Sequence, residues 1–208
     1  VLFSHDGFEE VLGVLARERF PHVCHAPVGK PFNSVSHDPY RGSVKALEQL
    51  AGRTRRGKIL FLSRDHRDPW IAPRLAAYRD TLRAHEIPWR EAFVLDLSPE
   101  DPGGGPAFLK RVRQHGIDGV FAASGDLGLQ AFRWLEQAGI EIPLQMALAV
   151  FDDLPEFERS SPTITALRTP LSRIGGLLLE QLVDMMELGY RDDLRTVLTG
   201  ELIVRESA

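Results

Sequence analysis

The sequence predicts an α/β fold in which parallel sheets are flanked by helices and the chain is shared between two lobes. Three observations carry this. Strand-like apolar runs and helix-like amphipathic segments alternate through most of the 208 residues, the pattern of βα units laid side by side. The runs are apolar at consecutive positions, as strands covered on both faces require. After Asp153 the rhythm breaks, and a proline-bearing stretch leads into one long helix and two short extended pieces.

Lys58-Ile59-Leu60-Phe61-Leu62 reads as a buried parallel strand. Ile71, Leu75, Tyr78 and Leu82 follow at spacings of four, three and four, one face of a helix. Ala92 to Leu97 reads as a strand, and Pro106 to His115 as a helix with Phe108, Leu109 and Val112 inward. Gly119 to Ala123 is the next strand, and Leu127 to Ala138 a helix aligning Ala131, Leu135 and Ala138. Met146 to Phe151 is a further strand that stops at Asp152-Asp153. Leu154 to Thr169, with Pro155 and Pro162, reads as an irregular connection crossing the molecule. Leu171 to Leu188 is a long helix with Leu171, Ile174, Leu178, Leu182 and Met185 on one side, and the last extended pieces flank Gly200. Pro102-Gly103-Gly104-Gly105-Pro106 is a loop entering a helix. It lacks the spacing of a phosphate-binding loop.

Composition narrows the function classes. A hydrophobic fraction of 43% with 26% charged residues is that of a folded globular chain. No apolar run reaches the length of a transmembrane helix. A net charge of −4 makes the chain a poor nucleic-acid binder. The basic Arg53-Thr54-Arg55-Arg56 reads as a solvated turn. The start, VLFSHDGFEE, has no secretory pattern and no Met, and reads as that of a fragment. The single cysteine, Cys24, reads as a buried thiol. Seven scattered histidines include no His-x-x-x-His pair, so no metal site is expected. No G-x-S-x-G elbow or cofactor loop is present, so neither catalysis nor a cofactor is expected.

Several motifs, in order, resemble the effector-binding domain of LacI/GalR-type transcription regulators. They are Asn33-Ser34-Val35-Ser36-His37-Asp38 with Gly42; Arg74 four residues before Tyr78; Phe121-Ala122-Ala123-Ser124-Gly125-Asp126; and Gln137 to Pro143 with Phe151-Asp152-Asp153. Pro162-Thr163-Ile164-Thr165 with Arg168, Pro170 and Gly175 follows, and then the ending Glu201 to Ser207. That ending, with Arg205 and Ser207, looks like a repressor rather than a periplasmic sugar-binding protein of the same fold.

The resemblance implies a periplasmic-binding-protein-like two-lobe fold whose N-terminal lobe is incomplete. On it, residues 1–35 and 165–199 form the partial N-terminal lobe, and 36–164 with 200–208 the C-terminal lobe. Val1 to Ser4 is then a strand, Glu9 to Glu18 a helix and Val23 to His25 a strand. Asn33 to Val35 enters the second lobe, Thr163 to Leu167 returns to the first, and the chain crosses back near Gly200. The helix-turn-helix of the family is absent from this chain.

Open α/β sheets bind ligands beyond the carboxyl ends of their strands, which in a two-lobe fold is the crevice between lobes. The resemblance puts Arg74 on the effector, where its rigid fork of donors suits two hydroxyls or a carboxylate; read alone, it is a surface ion pair with Asp65 or Asp68. Asp152 is expected to accept from ligand hydroxyls, with Asp153 capping the turn. Ser124 stands where the family has Asn or Asp, a departure that argues against a simple sugar clamp. Asp126 is either a ligand contact or the N-cap of the following helix. Trp70, near His66, offers a stacking face or is an exposed loop aromatic. Asp38 lines the cleft or caps the helix from Tyr40 to Leu50.

The resemblance thus implies a cytoplasmic, homodimeric regulator. A sugar-like small-molecule effector would control operator DNA binding through a separate N-terminal domain, with no membrane partner. The helices near Glu9 to Arg19 and Leu171 to Leu188 would face the dimer or pack the lobe. The alternative is a periplasmic solute-binding protein serving a sugar transporter.

Overall fold

The computed structural model describes residues 2–3, 8–98 and 104–208. The chain divides into two compact units, 1–38 with 169–200 and 39–168 with 201–208. Among the described residues no helix is long and apolar enough to cross a membrane.

The larger unit is a six-stranded sheet. Its strands are β4 (Ile59–Ser63), β5 (Val94–Asp96), β6 (Gly119–Ala122), β7 (Ala147–Phe151), β8 (Thr165–Arg168) and β10 (Glu201–Ile203), in the order β10-β8-β7-β6-β4-β5. All neighbours are parallel except β10, which runs antiparallel to β8. Side-chain alternation along β4 sends Leu60 and Leu62 to one face and Ile59 and Phe61 to the other, and all four are buried. Helices α4 (Gly104–His115) and α5 (Gly125–Gln137) cover the first face with Phe108, Val112, Ala131 and Leu135. Helices α2 (Pro39–Ala51) and α3 (Ala72–Ala84) cover the second with Ala46, Leu47, Leu50, Leu75, Tyr78 and Leu82. A parallel sheet with both faces covered explains the consecutive apolar runs.

The smaller unit is a four-stranded parallel sheet in the order β1-β2-β3-β9, from β1 (Leu2–Phe3), β2 (Cys24–His25), β3 (Ser34–His37) and β9 (Arg195–Leu198). Helix α7 (Leu171–Leu188) packs Ile174, Leu178 and Met185 with Val23 and Val35. Leu12 of α1 (Phe8–Arg17) joins Cys24 and Ala26 in a separate cluster. Cys24 is buried and unoxidised, its thiol donates to the Asn33 carbonyl at 3.4 Å, and burial pushes it up to about 11.

Five sequence expectations differ from the structure. Asn33 to Val35 does not enter the larger unit, because β3 is held between β2 and β9. Leu154 to Thr169 is not irregular: it holds the short helix α6 (Pro155–Arg159) and strand β8. β8 does not return to the smaller unit either, since Ala149, Val150 and Phe151 register against Thr165, Ala166 and Leu167. Leu171 is 64% exposed, because it starts α7 ahead of the stripe that packs. The helices also begin earlier than expected, α4 at Gly104 and α5 at Gly125. Residues 99–103, which include the Pro102-Gly103 of the glycine loop, lie outside the described residues, as do Val1 and Ser4.

The carboxyl-terminal tail explains the Arg205 to Ala208 ending. Ser207, fully buried, accepts the Thr165 N–H at 2.8 Å and donates to the Leu148 carbonyl at 2.6 Å. Its own backbone N–H and carbonyl pair with Thr163 and Leu148. The tail therefore ties β8 to β7 through the Thr165 N–H and the Leu148 N–H and carbonyl.

Candidate functional site

Since β4, β6 and β7 are adjacent and parallel, their carboxyl ends lie together, and the polar residues just past each apolar run gather there. Arg74 reaches this edge from the first turn of α3. It is only 5% exposed, with its Nη1 donating to the Ala123 carbonyl and its Cζ 3.5 Å from the centroid of the Phe151 ring. The same Nη1 stands 3.8 Å from Asp152 Oδ2. The buried Nε makes no hydrogen bond among the described residues. Burial pushes the guanidinium down to about 10, with Asp152 and Asp68 pulling the other way, so it stays charged at neutral pH. A buried cation that is only partly matched seeks a further acceptor.

Asp152 directly follows β7 with a φ of 72°, a left-handed conformation that Asp tolerates better than most residues. Its side chain is 41% exposed. Asp153, expected to cap the turn, does something else. Its carboxylate is 4% exposed and accepts from Arg205 at 2.9 and 3.0 Å and from Arg168 at 2.6 and 3.0 Å. Burial alone would raise Asp153, but the two arginines outweigh it and hold the carboxyl below its usual range. The two neighbouring aspartates thus divide the work, one tying the sheet to the tail and one facing Arg74.

Ser124 occupies the position preceding α5 in extended conformation, and its hydroxyl donates to Asp126 rather than accepting from a helix N–H. Asp126 is inside the first turn, so it is not the N-cap. Its Oδ2 accepts from Arg64 at 2.7 and 3.2 Å. Burial raises Asp126, and the bonds from Ser124 and Arg64 more than reverse that, leaving it below its ordinary value. A ligand approaching here meets a preformed Ser124–Asp126–Arg64 set.

Trp70 is half-buried in the turn before α3, where its backbone N–H donates to Asp68 Oδ1 at 2.7 Å. Asp38 belongs to the smaller unit, where its N–H donates to the Leu198 carbonyl at 2.8 Å. The structure therefore gathers Arg74 and Asp152, with Ser124 and Asp126 at the adjoining strand end, on one sheet edge. It does not place Asp38 on that unit.

Two residues at this edge were not singled out in sequence, Arg64 and Asp96. Each is the first charged residue at the end of its strand run, a signal that was available. Asp96 accepts from Ser63, from the His66 N–H at 3.2 Å and from its ring. Asp65, His66 and Asp96 bring ligand-type atoms within 4.8 Å of one another, a spacing that could hold a metal. Asp65 is already bonded to Arg67 at 2.9 and 3.0 Å, and Asp96 to His66, so the trio reads as a hydrogen-bonded network.

Comparison with known proteins gives one concordant picture. Residues 47–208 match the model of the periplasmic binding protein-like domain. An HTH-type transcriptional regulator CelR of Thermobifida fusca is 29% identical over 186 residues, 87% of this chain and 54% of that protein. An HTH-type transcriptional regulator GntR of Pseudomonas aeruginosa is 32% identical over 181 residues, 86% of this chain and 52% of that protein. The chain thus spans about half the length of these relatives. Among solved structures, a transcriptional regulator CelR–cellobiose complex superposes with a TM-score of 0.84 at 26% identity, covering all of this chain and 64% of the other.

Proposed function

The chain belongs to the periplasmic binding protein-like domain family, in the form carried by LacI-type transcriptional regulators, and from that premise we propose that it is the effector-sensing module of such a regulator. The observation that carries this reading is the pairing of Arg74, buried yet under-bonded, with the half-exposed Asp152 at the carboxyl ends of the sheet. A guanidinium fork and a carboxylate side by side offer donors and acceptors to the vicinal hydroxyls of a sugar-like molecule. Trp70 supplies an aromatic wall near the same helix start, and Ser124 and Asp126 the flanking polar contacts. Asp38 is a contact contributed by the smaller unit, and residues 1–38 and 169–200 act as one lobe against the rest.

The effector would act by differential binding to two states of the module, biasing a homodimer between operator-competent and incompetent forms. Operator contact would come from a helix-turn-helix domain of the same cytoplasmic protein. No catalytic step belongs to this reading. The structural neighbour bound to cellobiose supports a saccharide as the first ligand class to try.

The experiment is a thermal-shift panel of sugars, sugar acids, sugar phosphates and nucleobases, since a ligand that binds only the folded state raises Tm by mass action. We expect a sugar-like compound to raise Tm, with the rise lost in both Arg74→Ala and Asp152→Ala. A rise that survives both substitutions overturns the site. The operator linkage is tested separately, by asking whether the same compound changes operator affinity of the full-length protein.

A further inference from the structure

The basic turn Arg53-Thr54-Arg55-Arg56 takes no part in the site above. It lies before β4, at the amino-terminal ends of β4, β6 and β7, the opposite end of these strands from Arg74 and Asp152. A cavity of about 460 Å³ opens there, and its lining includes Arg53, Arg55, Arg56, Asp118, Leu144 and Gln145. That volume falls in the range of small-ligand sites, roughly 300–1,000 Å³.

The turn is held in place from beneath. Asp118 is 6% exposed and accepts the backbone N–H groups of Arg55, Arg56 and Lys58 at 3.0, 2.6 and 2.9 Å. Thr54 Oγ1 donates back to Ala51 at 3.1 Å, and Lys58 Nζ is held by the His115 carbonyl at 3.0 Å. Asp118 thus spends most of its acceptor capacity on backbone, and it keeps one loose ion pair, with Arg56 Nε 3.8 Å from its Oδ2. Three arginines, Arg53, Arg55 and Arg56, share this cavity with one carboxylate, Asp118, in a chain whose net charge is −4. All three line this one cavity, and like charges held close together raise each other's energy. An anion in the cavity would relieve that repulsion.

We propose that this cavity is a second binding site, separate from the effector site, for a small molecule carrying a phosphate or diphosphate group. Guanidinium forks match phosphate oxygens two at a time, which a point cation does not. Leu144, 68% exposed, gives the cavity an apolar wall for the rest of the ligand.

The test is calorimetric titration of the chain with pyrophosphate, against citrate as a carboxylate control and DNA oligonucleotides of increasing length. The expected result is one saturable pyrophosphate site per chain, weakened at least ~10-fold in an Arg55→Gln, Arg56→Gln double variant, as loss of charge-assisted hydrogen bonds implies. Arg55→Lys with Arg56→Lys should restore part of the affinity, and Arg74→Lys should leave it unchanged. Because these arginines are exposed, the double variant should melt at the parent's temperature without ligand. No saturable heat, or binding that ignores the double variant, overturns the proposal. Loss of binding in Arg74→Lys would move the anion to the effector site. Equal affinity for citrate, or affinity that grows with oligonucleotide length, would overturn the assignment to a small phosphate compound.

Discussion

The Arg74 guanidinium lies against the Phe151 ring, 3.5 Å from Cζ to the ring centroid, so one face of the cation is covered by the residue that ends β7. The ring and the Ala123 carbonyl hold the planar fork in one orientation, which presents its remaining donors beside Asp152. Lysine at this position keeps the charge but can neither lie flat on the ring nor donate as a fork. Arg74→Lys is therefore expected to weaken binding of the compound that gives the largest thermal shift by ~10-fold or more, the worth of a charge-assisted hydrogen bond. Comparing ligand-induced Tm rises in parent and variant checks it, and an undiminished rise would contradict the geometry.

Helix α5 carries Ser124 and Asp126 only as well as it is seated on β7. Gly128 makes that seat possible: a methyl there would fall among the side-chain atoms of buried Val150, with its Cβ only 3.1 Å from that of Val150. Neither partner can retreat, because Val150 is in the middle of the doubly covered sheet. Gly128→Ala should destabilise by ~1–3 kcal/mol as an overpacked core does, despite alanine's better helix propensity. Urea unfolding followed by circular dichroism measures it, and a stabilised variant would show that the helix can lift freely.

How much of this was legible in sequence follows from what each signal depends on. Ile59 to Leu62 and Met146 to Phe151 were readable because burial on both faces leaves no polar position to confuse the run. β8 was not, because four residues between prolines carry too little pattern, and the strand exists only through its ladder with β7 and β10. Arg74 could be placed at the site by resemblance, yet its burial rests on Phe151 and Ala123, which are 77 and 49 positions away in sequence. The assignment of roles within Asp152-Asp153 turned on a positive φ at the first of them, which no composition or spacing records.

Ser207 fixes the tail to the sheet with one hydroxyl that accepts from Thr165 and donates to Leu148 in a fully buried place. Ser207→Ala leaves a buried N–H and a buried carbonyl short of a partner, at a cost of ~2 kcal/mol. Ser207→Thr, which keeps the hydroxyl, should lose less unless its extra methyl overpacks the core. A Tm of Ser207→Ala equal to that of the parent would mean water replaces the hydroxyl.

Asp153 predicts how the protein meets acid. Its folded-state carboxyl titrates below the ordinary value because Arg205 and Arg168 outweigh the burial that would raise it. A group depressed in the folded state contributes stability that is complete above its unfolded value, near 4, and is lost as pH falls through the folded value. Asp126, depressed by Ser124 and Arg64, acts in the same direction. The parent should therefore hold its Tm from neutrality down to about pH 5 as far as these groups are concerned, and lose it progressively below about pH 4. Asp153→Asn removes one of the two contributions and leaves the largely buried Arg205 without its charge partner. Its Tm at neutral pH should fall by the equivalent of ~3 kcal/mol, the cost of breaking a buried pair from one side. Its further loss between pH 5 and pH 3 should be shallower than the parent's, by about one carboxylate's share of the linkage. Melting curves of both proteins across that range decide it: parallel acid profiles would mean that Asp153 contributes packing and not charge.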